Sequence, residues 1–112
     1  MLAKAVARYV RMTPRKVGYV IAPLRQRSVA EALALLSAVN RRAAKPISKL
    51  VASAFANAKQ RNPDLREEEV IISKVVADQG PTWKRFRAAA FGRAARILKR
   101  TTHITVELEK KA

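Results

Sequence analysis

The stretch from Gln79 to Val106 contains no acidic residue, although it contains seven basic ones. Those seven are Lys84, Arg85, Arg87, Arg93, Arg96, Lys99 and Arg100. Because like charges repel and the stretch has no carboxylate to offset them, something outside the chain must neutralise them. Trp83 and Phe86 are interleaved with these cations, so the partner should also offer flat surfaces for stacking. A polyanion such as RNA meets both requirements.

The composition of the whole chain agrees with this interpretation. Lys and Arg number 24 against 8 Asp and Glu, which gives a net charge of +16 in 112 residues. A domain this basic has the electrostatic character of a nucleic-acid binder. Hydrophobic residues make up 49% of the chain, enough for one folded domain, although many are alanine and the core is thin. The absence of cysteine excludes disulfides and thiolate metal sites.

The two signs of charge are separated along the sequence. No acidic residue precedes Glu31, whereas four acids gather in one short segment at Asp64, Glu67, Glu68 and Glu69. This separation predicts one basic binding face and one solvated face. A metal or acid–base role for the acidic segment is the alternative. No further ligand or base stands at a useful spacing, so solvated charges are the favoured interpretation.

The first part of the chain predicts a strand followed by helices. Leu2 to Met12 favours a strand, and Thr13-Pro14 then marks a helix start, with threonine as the cap and proline in the first turn. That helix should end or kink near Pro23, because proline removes a donor and crowds the preceding turn. Ser28 and Glu31 form a capping-box pattern that opens the next helix.

The longest helix falls between Arg41 and Arg61, where apolar residues recur at helical spacing. They are Ile47, Leu50, Val51, Ala54, Phe55 and Ala58. The β-branched residues from Val70 to Ala77 favour a strand. Residues from His103 to Glu109 alternate between apolar and polar, which is typical of a half-buried strand.

The order of these elements predicts an α+β fold, in which three helices pack on a small, mainly antiparallel three-stranded sheet. The acid-free stretch lies between the last two strands and should form a long basic β-hairpin that turns close to Gly92. An arm of about ten residues would reach roughly 33 Å, and an isolated two-stranded ribbon is only marginally stable in water. We therefore expect a single domain over residues 1–112, with a hairpin at 80–102 that protrudes into RNA.

Three smaller patterns allow a functional and a structural interpretation. The basic helix start at residues 11–16 suits a phosphate, although capped helix starts with exposed arginines are common. His103, the only histidine, contacts RNA or has no role. Asn57 lies at the edge of the apolar stripe of the longest helix. In the functional interpretation it reaches a ribose or a base. In the structural interpretation it belongs to a run of small residues that lets the helix approach a sheet. The structural interpretation of Asn57 is favoured.

Six segments of the chain form a recognisable pattern when taken together. They are Arg11–Val17, Ser53–Ala58, Asp78–Thr82, Lys84–Phe86, Gly92–Ala94 and Lys99–Val106. In this order they resemble the bacterial large-subunit ribosomal protein twenty-two family, over essentially the whole chain. The resemblance implies an α+β body on the outer surface of the large subunit, near the exit of the peptide tunnel. It also implies a long hairpin that threads ribosomal RNA and reaches the tunnel wall with its tip.

The resemblance and the basic charge together assign residues to this interface. RNA contacts are expected for Arg8, Arg11, Thr13, Arg15, Lys16, Lys84, Arg85, Arg87, Arg93, Arg96, Lys99, Arg100 and His103. The hairpin tip at the tunnel wall corresponds to Arg87, Ala88, Ala89, Ala90, Phe91 and Gly92. This tip is more apolar than is usual in the family, which has proline and arginine before the glycine. Pro23 and Gln26 also depart from the family pattern, near the end of the first helix.

The expected partners are large-subunit ribosomal RNA and neighbouring ribosomal proteins, with the nascent peptide passing the hairpin tip. No cofactor, metal, membrane or homo-oligomer is expected. The first residues lack the apolar run of a signal peptide, so the expected location is the cytoplasm, in the ribosome. A free-standing nucleic-acid chaperone or DNA-packaging protein is the alternative that basic charge alone permits. An enzyme is disfavoured, because the sequence offers no nucleophile–base pair or metal set.

Overall fold

The computed structural model describes residues 2–88 and 94–110, with the backbone alone for residues 83–88 and 94–98. Ten elements follow one another within these described residues. They are β1 (Ala3–Val10), α1 (Pro14–Ile21), a 3₁₀ turn (Ala22–Leu24), α2 (Val29–Ala38), α3 (Ala44–Arg61), a second 3₁₀ turn (Glu67–Glu69), β2 (Val70–Gln79), β3 (Trp83–Ala88), β4 (Ala94–Lys99) and β5 (Thr102–Lys110). This order confirms the predicted α+β fold with three helices.

A three-stranded antiparallel sheet forms the centre of the body, in the order β1-β5-β2. The alternation predicted for β5 is confirmed, because Ile104, Val106 and Leu108 are fully buried while the residues between them are not. Ala5 and Val75 flank Val106 in the paired register and face the same side. The inner face of the sheet is therefore apolar, and the helices cover it.

The longest helix, α3, packs against β1 and α2. All six residues of its predicted apolar stripe are buried. β1 presents the small residues Ala3 and Ala5 to the core, so α3 can approach the sheet closely. The amide Nδ2 of Asn57 donates a hydrogen bond of 3.3 Å to the carbonyl oxygen of Lys4 on β1. This bond ties α3 to the sheet edge and gives Asn57 a structural role.

The predicted helix starts are confirmed by their caps. Thr13 Oγ1 accepts a hydrogen bond from the backbone N–H of Lys16 at 3.3 Å, and Ser28 Oγ accepts one from the N–H of Glu31 at 3.2 Å. The Glu31 carboxylate does not close the capping box by reaching back; it accepts a hydrogen bond of 3.4 Å from Arg27 instead. α1 ends at Ile21 and continues as a 3₁₀ turn, which confirms the break expected at the proline that follows.

The acid-free stretch contains the predicted β-ribbon. β3 and β4 pair antiparallel as a sheet of their own, from Trp83 opposite Lys99 to Ala88 opposite Ala94. Residues 89–93, and with them the predicted turn at Gly92, lie outside the described residues. The position of the turn therefore stays a prediction.

Within the part of the chain that the structure describes, none of the helices has both the length and the apolar character that a membrane crossing requires.

Candidate nucleic-acid interface

A basic groove of about 1000 Å³ lies on the surface of the body. Three segments that lie far apart in the sequence form it: the start of α1, the turn between α2 and α3, and the junction between β4 and β5. Among the described residues, its lining consists of Arg11, Met12, Thr13, Arg15, Lys16, Tyr19, Arg41, Arg42, Ala43, Lys99 and Arg100. Seven of these eleven residues are Lys or Arg and none is acidic. We refer to this surface as the basic groove.

The start of α1 contributes fixed partial charges as well as side chains. Thr13 caps one of the free backbone N–H groups, and Pro14 occupies the first helical position. The first turn of α1 contains no acidic residue, so the positive end of the helix dipole is not offset locally. Arg15 and Lys16 extend from this turn and are exposed. The N-terminus of α1 therefore adds to the attraction of the groove for anions.

A tyrosine joins two arginines on the wall of the basic groove. Arg15 Nε donates a hydrogen bond of 3.2 Å to the hydroxyl oxygen of Tyr19, one helical turn further along α1. The guanidinium carbon of Arg15 lies 6.0 Å from the centroid of the Tyr19 ring, and that of Arg41 lies 5.9 Å from it. These cation–π distances link α1 to the α2–α3 turn. The ring nevertheless stays open to solvent, since Tyr19 is 57% exposed.

None of the acidic residues that the structure describes lines the basic groove. In the described part of the chain, Arg27 and Glu31 form an ion pair on the surface, with 3.4 Å between Nη1 and Oε2. The segment of Asp64 and Glu67–Glu69 is exposed, and no group of three potential metal ligands forms among the described residues. The cations of the groove therefore attract an external anion without competition from carboxylates in its lining.

The ribbon joins the body at a neck formed by Gly80, Pro81, Thr101 and Thr102. The N–H of Gly80 donates to the carbonyl oxygen of Thr101 at 2.9 Å, and the hydroxyl of Thr101 donates back to the carbonyl of Pro81 at 2.6 Å. The hydroxyl of Thr102 donates to the carbonyl of Met12 at 2.6 Å, which connects the neck to the loop before α1. Both threonines are fully buried. The base of the ribbon is thus bonded to the rim of the basic groove.

His103 packs against the irregular end of β1. Its Nδ1 atom accepts a hydrogen bond of 3.1 Å from the backbone N–H of Tyr9, and the two rings meet edge to face with centroids 4.9 Å apart. Tyr9 has a φ of 57°, in a bulge where the register between β1 and β5 shifts. His103 therefore has a structural role, because its ring accepts the backbone N–H of this bulge.

The structure brings part of the sequence-predicted interface together. Arg11, Thr13, Arg15, Lys16, Lys99 and Arg100 all line the basic groove. Arg8 is exposed on β1 but does not line it, and His103 is half-buried on the outer face of β5. On the ribbon, the backbone register places Lys84, Arg85 and Arg87 on β3 and Arg96 on β4. Arg93 and the tip residues Ala89, Ala90, Phe91 and Gly92 lie outside the described residues.

Sequence reasoning missed two cations and the aromatic residue of the groove. Arg41, Arg42 and Tyr19 join it only because the α2–α3 turn folds against α1. The available signals were the pair of adjacent arginines in a turn and the spacing of four residues between Arg15 and Tyr19.

Comparison with known proteins identifies the family of this chain. A family model described as Ribosomal protein L22p/L17e matches residues 5–109. The chain is a member of this ribosomal protein family. The resemblance stated from the sequence segments is thereby confirmed.

Three relatives from the ribosomal protein family L22p/L17e align with nearly the full length of the chain. A protein of Clostridioides difficile (strain 630) is 49% identical over 111 residues, which cover 99% of both chains. A protein of Halothermothrix orenii is 45% identical over 111 residues, covering 99% of this chain and 97% of the relative. One of Desulfitobacterium hafniense (strain DSM 10664 / DCB-2) is 45% identical over 109 residues, covering 97% and 95%. All three are named "Large ribosomal subunit protein uL22".

Proposed function

We propose that this chain is a structural constituent of the large ribosomal subunit, in the cytoplasm, and that it binds ribosomal RNA. The observation that carries the proposal is the basic groove, in which three distant segments place seven cations and no carboxylate. Membership of the ribosomal protein family and the names of the relatives agree with it.

The groove acts by replacing the counterions of RNA phosphates. Each Lys or Arg that meets a phosphate releases a condensed cation, so binding weakens as the salt concentration rises. Such contacts fix the position and orientation of a protein on RNA rather than reading its sequence. Arg11, Arg15, Lys16, Lys99 and Arg100 make these contacts from the groove, Thr13 holds the helix end in place, and Arg8 and His103 extend the surface along β1 and β5.

The ribbon extends the same interface beyond the body. In this proposal the chain is a single domain over residues 1–112, and the hairpin at 80–102 protrudes from it into RNA. Lys84, Arg85, Arg87, Arg93 and Arg96 then meet phosphates along its length. Support comes from the pairing of β3 with β4 in a sheet separate from that of the body, and from the absence of acids between Gln79 and Val106. RNA on both faces supplies the packing layer that a two-stranded ribbon lacks in water.

The tip of the hairpin, at residues 87–92, reaches the wall of the peptide exit tunnel, so the nascent peptide passes it. Neighbouring ribosomal proteins complete the surroundings of the body, and no second copy of the chain takes part. The tip is apolar for a surface within RNA, with three alanines and Phe91 between Arg87 and Gly92. This composition fits a segment that faces a passing peptide instead of phosphates.

Sedimentation of ribosomes in high salt tests the function. A tagged copy of the chain should remain with the large subunit at one copy per particle after a high-salt wash, because many buried contacts hold it at once. A free-standing nucleic-acid chaperone or DNA-packaging protein would be released and would bind arbitrary duplexes equally well. Release at moderate salt, or a copy number that varies between particles, would contradict the proposal.

A further inference from the structure

We infer that the basic groove holds an unpaired nucleotide of the RNA, with its base against the ring of Tyr19 and its neighbouring phosphates on the surrounding cations. This inference rests on the proposed function and specifies which kind of RNA element the body binds.

An exposed aromatic ring is not needed on a surface that only neutralises phosphates. Tyr19 is 57% exposed and lines the groove. Among the described residues, the other exposed large hydrophobic side chains are Val6, Tyr9 and Leu35, and none of them lines it. Duplex RNA offers phosphates and sugars to such a surface, whereas unpaired bases stack on aromatic rings and on guanidinium planes. The composition of the groove therefore matches an unpaired nucleotide.

The Tyr19 ring is held in place before any RNA arrives. Its hydroxyl oxygen accepts the hydrogen bond from Arg15, and the guanidinium groups of Arg15 and Arg41 lie about 6 Å from the ring centroid. Val17 and Val20 of α1 are buried on the opposite side, so the helix that carries Tyr19 is anchored in the core. A ring fixed by its own neighbours loses little conformational entropy when a base stacks on it.

The shape of the groove also favours an extruded nucleotide. Its volume of about 1000 Å³ is at the upper end of the range of small-molecule sites, so a base, its ribose and the adjoining phosphates fit inside it. Lys99 and Arg100 line the side of the groove where β4 leads into β5. The unpaired nucleotide would therefore lie beside the point where the ribbon leaves the body.

Two hairpin RNAs that differ by one nucleotide test the inference. One carries a single unpaired 2-aminopurine in its stem, and the other is fully paired. The wild-type chain should bind the first at least about fivefold more tightly, because stacking of one base is worth at least about that factor. The fluorescence of 2-aminopurine should fall on binding, as it does when the base stacks.

Two substitutions at the same position separate the ring from its hydroxyl. Tyr19→Phe keeps the ring and should keep the preference for the unpaired RNA. Tyr19→Leu keeps apolar volume without an aromatic face and should lose the preference, so that it binds the unpaired and the paired RNA equally well. Tyr19 is largely exposed, so both variants should fold, and circular dichroism checks this.

Salt concentration provides a second readout. Affinity for both RNAs should fall as salt rises, but their ratio should hold because stacking carries little net charge. Equal affinity of the wild type for the two RNAs, or a Tyr19→Leu variant that retains the preference, would overturn the inference. Failure to bind either RNA, together with loss from the large subunit, would overturn the proposed function as well, so the two failures are distinguishable.

Discussion

A Cβ atom placed on Gly80 would lie 2.6 Å from Oγ1 of Thr101. The same atom would lie 3.1 Å from Cε1 and 3.2 Å from Nε2 of His103. Thr101 cannot move aside freely, because it is fully buried and its hydroxyl donates to the carbonyl of Pro81. Gly80 therefore allows the two sides of the neck to approach closely enough for their hydrogen bonds to form.

Gly80→Ala should destabilise the protein. The added methyl group forces the Thr101 hydroxyl away from Pro81 or moves the backbone, and overpacking of this kind costs about 1–3 kcal/mol. Urea denaturation followed by circular dichroism measures the free energy of unfolding directly. In a protein that already carries Thr101→Ala, Gly80→Ala should cost less stability, because the Oγ1 atom nearest to the added Cβ is absent.

Gly18 supplies the matched control for this prediction. It lies within α1, and a Cβ atom there would meet nothing within 4 Å. Gly18→Ala should stabilise the protein by about 0.5–1 kcal/mol, because alanine loses less backbone entropy in a helix than glycine does. A Gly80→Ala variant as stable as Gly18→Ala would show that the neck is not tightly packed.

Features that depend on neighbours in the sequence were predictable. The stripe of α3 was identified from its period, and each of its six residues is buried. The alternation of β5 and the caps at Thr13 and Ser28 were identified in the same way. In each case the signal spans about a turn of helix or a few strand residues, so tertiary structure did not have to be known.

Features that depend on distant contacts were not predictable. The backbone N–H of Tyr9, in the bulge of β1, donates to His103, which lies 94 residues away in the sequence. Arg41 and Tyr19 meet only after the α2–α3 turn folds onto α1, so local patterns in the sequence did not show that the two residues share one groove. Charge alone predicted a basic surface, but not which cations share one concave site. Six of the predicted contact residues line that site, together with five that were not predicted to contact RNA.

Removal of the two arginines in the α2–α3 turn should weaken RNA binding in a salt-dependent way. In the double variant Arg41→Gln and Arg42→Gln, the slope of log affinity against log salt should fall by about 0.7–0.9 for each phosphate contact that is lost. Filter binding of the purified chain to large-subunit RNA at several salt concentrations gives this slope.

Arg66→Gln is the control for that experiment, and because it removes one charge it is compared with Arg41→Gln alone. Arg66 is exposed beside the acidic segment and does not line the basic groove. Its loss should leave the slope within experimental error of the wild-type value. If one substitution at Arg66 lowered the slope as much as one in the turn, binding would depend on net charge and not on the groove.

Thr13→Ala should destabilise the protein by about 1 kcal/mol, because it leaves the N–H of Lys16 without its side-chain acceptor at the start of α1. Thermal unfolding in the absence of RNA measures the loss. Thr13→Ser keeps the hydroxyl and should retain most of the stability. If the serine variant lost as much stability as the alanine variant, the methyl group of Thr13 and not its hydrogen bond would be responsible.

Limited trypsin digestion should distinguish the ribbon from the body. In the free chain, cleavage should occur first within β3 and β4, because a two-stranded ribbon is only marginally stable and its cations repel one another. Lys49 and Lys59 provide internal references, since both are exposed but lie on the packed helix α3. In the intact large subunit the ribbon should be protected, because RNA neutralises its charges and covers its backbone. A ribbon that resists trypsin in the free chain as well as α3 does would contradict the proposal that RNA stabilises it.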